Sequence, residues 1–298
     1  MADDPFLKLS LSIDTGRLRI QAMPKPDIFL CGGTEDFSAR RIFMDKAKVR
    51  EPDFFSRLVL AEDVISSWFR HDNYDNLLDL EEDLAGLATG IVIFLESAGA
   101  IAELGAFVQT KPLAHKTIAV VDPSHNKESF IKLGPLDKLN TLYGDDSVVH
   151  YHFSDVNDFY DEIKTDICAK CKPKERKFDH EGFGDISILI LELINIAIYA
   201  KMSEIQSFIT NLGLGINSSK ITKSIFMLER IGYISVEMHG KTKYYKSLRR
   251  ESYIRFSYKE DSQYKEKIYW NYFFINHFKQ HDSRRFKLLQ SQKEVDNA

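Results

Sequence analysis

The stretch Gly90-Ile91-Val92-Ile93-Phe94-Leu95, continued by Glu96-Ser97-Ala98-Gly99-Ala100-Ile101-Ala102-Glu103-Leu104-Gly105-Ala106-Phe107, decides the reading of the first half of the chain. An apolar run without polar alternation marks a strand covered on both faces. Glu96 and Ser97 stand at its carboxyl end, Gly99 is expected to supply a sharp turn, and Ala100 to Gln109 reads as a helix. Working outward, Asp27-Ile28-Phe29-Leu30-Cys31-Gly32-Gly33 is a buried strand ending in a glycine turn, followed by helical spacing over Arg40 to Lys48. Phe55 to Leu60 is apolar enough for a further strand. Asn76 to Thr89 is an amphipathic helix with Leu77, Leu80, Leu84 and Leu87 on one face, and Lys116 to Val121 is another buried strand. Strands alternating with helices predict an α/β fold with a doubly wound, mostly parallel sheet. Such sheets bind ligands beyond the carboxyl ends of their strands, so chemistry is expected in the turns after Leu30 and Leu95.

Glu103 lies four residues past Gly99, about one helical turn in, among Ala102, Leu104, Gly105 and Ala106. Small neighbours let a ligand approach, and a desolvated carboxylate is a better nucleophile or base. The plainer reading is a glutamate favoured by the positive end of the helix dipole. Gly32, Gly33, Glu96, Ser97 and Gly99 are the candidate substrate-binding residues, with backbone N–H groups of the glycine turn and of the helix start available to phosphates. Asp36, Glu62 and Asp63 are further charges near the cleft, otherwise read as ordinary loop charges.

The second half has a different pattern. Ile186 to Tyr199, Ser203 to Asn211 and Ser218 to Ile231 read as three helices, the last with Ser218 as N-cap. A hairpin follows, starting at Gly232-Tyr233-Ile234-Ser235-Val236, turning at His239-Gly240 and returning through Lys243-Tyr244-Tyr245. Three helices and a β-wing predict a winged helix-turn-helix over residues 182–250, after an α/β domain over 1–172 and a charged linker over 173–181. Residues 251–298 form an aromatic-rich tail expected to be mostly helical. The net charge of −4 hides an asymmetry: between Lys220 and Arg250 eight Lys/Arg face only Glu229 and Glu237. A basic patch in one module suggests a polyanionic partner for that module. Its candidate contacts are Ser218, Ser219, Lys220 and Lys223 at the third helix, and Lys241, Lys243, Tyr244, Tyr245, Lys246, Arg249 and Arg250 around the wing, with the tyrosines suited to stacking on unpaired bases.

At 298 residues and 44% hydrophobic composition the chain suits two globular domains. No apolar run reaches the ~18 residues of a membrane span, and the acidic start Met1-Ala2-Asp3-Asp4 lacks the order of a signal peptide. Three cysteines do not make a disulfide framework, and a cytoplasmic, reducing compartment fits them best. Cys168-Ala169-Lys170-Cys171 has no second Cys pair or His pair to complete a zinc site, so no metal is expected.

The run from Ala100 to Phe107 resembles the nucleophile region of the nucleoside 2-deoxyribosyltransferases, where a buried strand leads into a turn and a helix bearing the reacting glutamate. The resemblance implies that Glu103 acts at the anomeric carbon of a glycosidic substrate, as covalent nucleophile or as electrostatic stabiliser. That family's aspartates before the turn are replaced here by Glu96 and Ser97, and its Gly-x-Tyr-Phe by Cys31-Gly32-Gly33-Thr34, which points away from a deoxynucleoside substrate. Joined to a basic winged helix, nearly the whole chain resembles retron-associated effector proteins, the toxic arm of bacterial anti-phage systems. That likeness implies an N-glycosidase (ribosyltransferase type) acting on a nucleotide, NAD⁺ foremost, as substrate and not as cofactor. It also implies association with a retron reverse transcriptase and its branched RNA–DNA product, msDNA, in a higher-order homo-oligomer away from membranes. The alternative is a winged-helix transcription regulator whose first domain senses a nucleotide without cleaving it.

Overall fold

The computed structural model describes residues 4–21, 27–65, 73–125, 128–172, 174–249 and 251–295. The chain divides into two compact units, one formed by Met1–Ala22 with Glu175–Ala298 and the other by Met23–Lys174. It begins in the first with helix α1 (Pro5–Ser12), capped by the Asp4 carboxylate, and strand β1 (Arg19–Ile20). The second unit then runs β2 (Ile28–Cys31), α2 (Ala39–Arg50), α3 (Pro52–Phe55), β3 (Leu58–Val59), α4 (Ala61–Ile65), α5 (Leu77–Leu87), β4 (Gly90–Phe94) and α6 (Ala98–Phe107). It closes with α7 (Lys111–Ala114), β5 (Thr117–Val121), α8 (Asp137–Tyr143), β6 (Val148–His150) and α9 (Tyr160–Lys170).

In the second unit five strands form a parallel sheet in the order β3-β2-β4-β5-β6. Every residue of β2, β4 and β5 is buried, the expected consequence of their uninterrupted apolar sequences. From β2 the chain crosses to β3 on one side, and then returns to β4 on the other. The order therefore reverses between β2 and β4, and a crevice opens beyond their carboxyl ends. Local chemistry sets the rest. Pro52 at the first helical position makes Pro52–Phe55 a helix, so the strand expected from Phe55 shrinks to Leu58–Val59. Asn76 caps α5 through the Asp79 amide, and the Lys116 ammonium takes the Gly86 and Ala88 carbonyls at its far end.

The chain re-enters the first unit as β7 (Arg176–Lys177), then α10 (Phe183–Ala197), β8 (Tyr199–Ala200), α11 (Met202–Asn211), α12 (Ser218–Arg230), β9 (Ile234–His239) and β10 (Thr242–Ser247). It ends with β11 (Ile254–Arg255), α13 (Lys267–His281) and α14 (Ser283–Val295). The expected boundaries need correction here. Residues 1–22 do not belong with the α/β domain: Phe6 of α1 packs edge-on against Phe274 of α13 at 4.9 Å, and β1 pairs with both β7 and β11. Part of the expected linker is strand β7, and part of the expected helical tail is strand β11. The first of the three expected helices stops at Ala197. Ile198, at φ 65°, turns the chain into β8, which pairs with β10 in a sheet ordered β8-β10-β9. Asn217, and not Ser218, caps α12.

Ion pairs fasten the peripheral segments of this unit to α10. Buried Asp185 accepts from Arg176 and from the Asp179 amide, and Glu192 accepts from Ser252 and Lys267. Arg285, 1% exposed, stacks on Phe278 at 4.1 Å and donates to Glu204 and to the Tyr199 carbonyl.

In the α/β unit Cys171 has a packing role. Cys171, at the end of α9, lies so close to Gly90 that a Cβ there would overlap its sulfur. Burial pushes the Cys171 thiol up to about 12, so it is not a thiolate at neutral pH. Gly90→Ala is expected to destabilise the protein by roughly 1–3 kcal/mol, as overpacking does, and Cys171→Gly in the same chain to recover much of the loss in denaturant melts.

Candidate functional site

The turn after β2 is built around a carboxylate from the end of β4. Glu96 accepts from the amides of Gly33 (2.9 Å), Ala39 (2.5 Å) and Arg40 (3.1 Å). Gly32 has φ +153°, and a side chain there would meet Arg40 Cβ at 2.9 Å and Glu96 Oε1 at 3.0 Å, so only glycine fits. Ser38 caps α2 and donates to the Gly33 carbonyl, which also takes Arg40 Nε at 2.8 Å. The outer guanidinium nitrogens of Arg40 then reach Glu62.

These elements enclose a cavity of about 270 Å³ at the carboxyl ends of β2 and β4. Of the candidates, Gly32, Gly33, Ser97, Gly99 and Glu103 line it. Glu96 does not, and its expected role as a substrate contact is corrected: both of its oxygens are committed to backbone amides, and it shapes the turn. The Gly33 N–H is equally committed, so it does not cradle a phosphate. Gly99 makes no sharp turn, because α6 already begins at Ala98. Its role is space, since a Cβ there would touch only Ser97 Oγ at 3.8 Å. Ser97 caps α6 through the Ala100 amide, and the amides of Ala98 and Gly99 have no acceptor among the described residues.

Four carboxylates, those of Glu35, Glu62, Glu81 and Glu103, line this cavity with one guanidinium, and Glu35 is exposed to solvent. Glu103 is half-buried, its Oε2 has no hydrogen-bond partner among the described residues, and the buried Cys31 thiol donates to its carboxylate. Burial pushes Glu103 above the usual carboxylate range, against the opposing effects of Cys31 and the Arg40 charge. Glu62 is also raised by burial, but its hydrogen bonds and attraction to Arg40 outweigh this and hold it low. Glu81 on α5 has no such help. It is 7% exposed, and burial followed by repulsion from Glu103 and Glu62 pushes it up to about 7. Of the other charges expected near the cleft, Asp36 and Asp63 are absent from the lining.

Arg40, Cys31, Glu35 and Glu81 are the polar site residues that sequence reasoning missed. Only Glu81 left a readable signal: it falls four residues after Leu77 and three before Leu84, on the inner face of its helix.

Among the nucleic-acid candidates, Ser218, Ser219, Lys241 and Lys243 are exposed. Lys220 donates to the Glu181 carbonyl, Lys223 is half-buried, Lys246 lies 3.9 Å from Glu237, and Arg249 stacks on Tyr233 at 4.3 Å. Arg250 falls outside the described residues. Tyr244 and Tyr245 are corrected. At 2% and 7% exposure they are core residues, since β10 is the central strand of its sheet and neither face is open to bases. Tyr244 packs against Tyr199 and beneath Lys201 and Arg285.

With this geometry in place, comparison with known proteins gives a family. The model of the STM3845 retron effector protein family matches residues 36–236. The chain belongs to that family. Among curated relatives in Escherichia coli, it is 35% identical over 132 residues to the "Retron Ec73 putative ribosyltransferase/DNA-binding protein", covering 42% of this chain and 41% of the relative. It is 30% identical over 152 residues to the corresponding Ec86 protein, covering 50% of this chain and 48% of that relative. The chain therefore spans less than half the length of either. No helix among the described residues is long and apolar enough to cross a membrane.

The raised carboxyls give the site a pH signature. A carboxyl raised in the fold destabilises its ionised form, so its contribution is intact below the unfolded value and is lost as pH rises through about 7 at Glu81. Glu81→Gln is expected to raise Tm at pH 8 by several degrees and to change it little at pH 4. Equal shifts at both pH values would remove Glu81 as the titrating group.

Proposed function

We propose that the α/β unit is an N-glycosidase that cleaves a nucleotide, NAD⁺ foremost, and that the other unit holds a winged helix gripping the retron's msDNA. The observation that carries the enzymatic reading is Glu103, a desolvated carboxylate whose Oε2 has no partner among the described residues, on the wall of a cavity at the sheet's switch point. Glu103 would attack the anomeric carbon, or stabilise its developing positive charge, as the glycosidic C–N bond breaks. The bonding electrons go to the ring nitrogen, so nicotinamide departs neutral and needs no proton. Water then completes hydrolysis at the sugar carbon and releases one proton. A cleft with four carboxylates and one guanidinium favours a cationic pyridinium and an oxocarbenium-like sugar. The Ala98 and Gly99 amides at the start of α6 suit a phosphate.

The retron membership supports the reverse transcriptase and msDNA as partners, and a higher-order homo-oligomer within that complex as the working form. The order of three helices and a β9–β10 hairpin, with β8 completing the sheet, supports the winged-helix reading.

In the assembled complex, Glu103→Gln is expected to cut nicotinamide release from NAD⁺ by at least ~10²-fold while leaving Tm unchanged or higher. Release at the wild-type rate would remove Glu103 from the chemistry. For the wing, Lys241→Glu with Lys243→Glu is expected to weaken msDNA binding roughly tenfold or more at moderate salt and to flatten its salt dependence. Unchanged binding across ionic strengths would exclude the wing as the contact.

A further inference from the structure

The first unit carries a second cationic surface that no sequence pattern announces. Strands β11, β1 and β7 form a three-stranded antiparallel sheet with Arg19 opposite Arg255 on one side and Lys177 on the other. A groove of about 570 Å³ over this sheet is lined by Arg17, Arg19, Lys177 and Arg255, with Glu175 as the single carboxylate and Gly16 and Ser257 completing the wall. Glu175 Oε1 is shared by Arg19 at 3.2 Å and Arg255 at 3.1 Å, which leaves its single charge divided between two guanidinia. Arg17 is 80% exposed, with Asp14 at 3.5 Å as its acidic neighbour, and the Lys177 ammonium has no acidic partner among the described residues.

The chemistry of the lining selects its ligand. No aromatic or large apolar side chain is present to stack a base, so the groove is not built for a mononucleotide. Three of the four cations are arginines, whose planar forks match phosphate oxygens, and Arg255, Arg19 and Lys177 stand in register as one row across the three strands, with Arg17 in the turn before β1. A linear run of phosphates fits that arrangement better than a single anion. We propose that this groove binds the phosphodiester backbone of a nucleic acid, as a contact separate from the β9–β10 wing. Glu175 pre-positions Arg19 and Arg255 and gives up part of its hold on them when a phosphate enters. The proposal shares a polyanionic partner with the proposed function but rests on different residues.

The test uses the full chain and a fluorescein-labelled DNA strand of about 20 nucleotides, alone and as a duplex, in anisotropy titrations at several salt concentrations. R19E/R255E is expected to weaken binding roughly ten- to hundred-fold at moderate salt and to lower the log–log salt slope by about 2. E175Q is expected to bind several-fold tighter, a gain that misfolding cannot produce. Wild-type affinity and slope for R19E/R255E, or no gain from E175Q, would overturn the proposal. Equal displacement of the DNA by millimolar inorganic phosphate or by poly-glutamate would also overturn it, assigning the groove to small anions or acidic protein. K241E/K243E run in parallel separates the two surfaces. Loss only with the wing variant sinks the groove, whereas loss only with the groove variant sinks the wing.

Discussion

The candidate site depends on how the Glu96 carboxylate is used. It reaches from the end of β4 to three backbone amides, one in the turn after β2 and two at the start of α2. Each bond is charge-assisted, and the carboxylate also faces the positive end of the α2 dipole. This joins the two strands between which the sheet order reverses, and it orders the turn that Gly32 makes sterically possible. Arg40 follows from the same latch. Its amide is held by Glu96, its Nε by the Gly33 carbonyl, and its remaining nitrogens are thereby aimed at Glu62.

The latch also settles which acid in the cavity is stabilised as an anion. One guanidinium cannot compensate the four carboxylates that line the cavity. Glu62, in direct contact, is held low, whereas Glu81 and Glu103 are left raised. Ionising Glu81 and Glu103 beside this open cavity is therefore costly. Such an arrangement costs stability in the empty protein and is relieved by a ligand carrying positive charge where the carboxylates point.

The other unit is made from both ends of the chain. Its small sheet pairs β1 with β7, so the strand by which the chain leaves and the strand by which it returns are hydrogen-bonded neighbours. An excursion of about 150 residues is tolerated because loop closure costs grow only slowly with length. Arg285 plays a comparable fastening role at the far end, where α14 reaches back to β8 and α11.

The parallel α/β sheet was legible in the sequence, because fully apolar runs such as Ile91–Phe94 and Ile118–Val121 alternate with helical patterns that can cover both faces. The sequence also placed Glu103 on a helix behind a buried strand, although it put the start at Ala100 and not at Ala98 behind the Ser97 cap. It could not assign Glu96, because a carboxylate at a strand end reads the same whether it meets a substrate or a backbone amide. Nor could it show that Tyr244 and Tyr245 are both buried: strand alternation sends them to opposite faces, and only the neighbours of β10 show that both are covered. The membership of residues 1–22, the arrival of Arg40 and Cys31 in the cavity and the convergence of Arg17, Arg19, Lys177 and Arg255 come from the tertiary structure alone. Periodicity reports which face of one element is apolar, whereas these features depend on which distant elements come to lie against it.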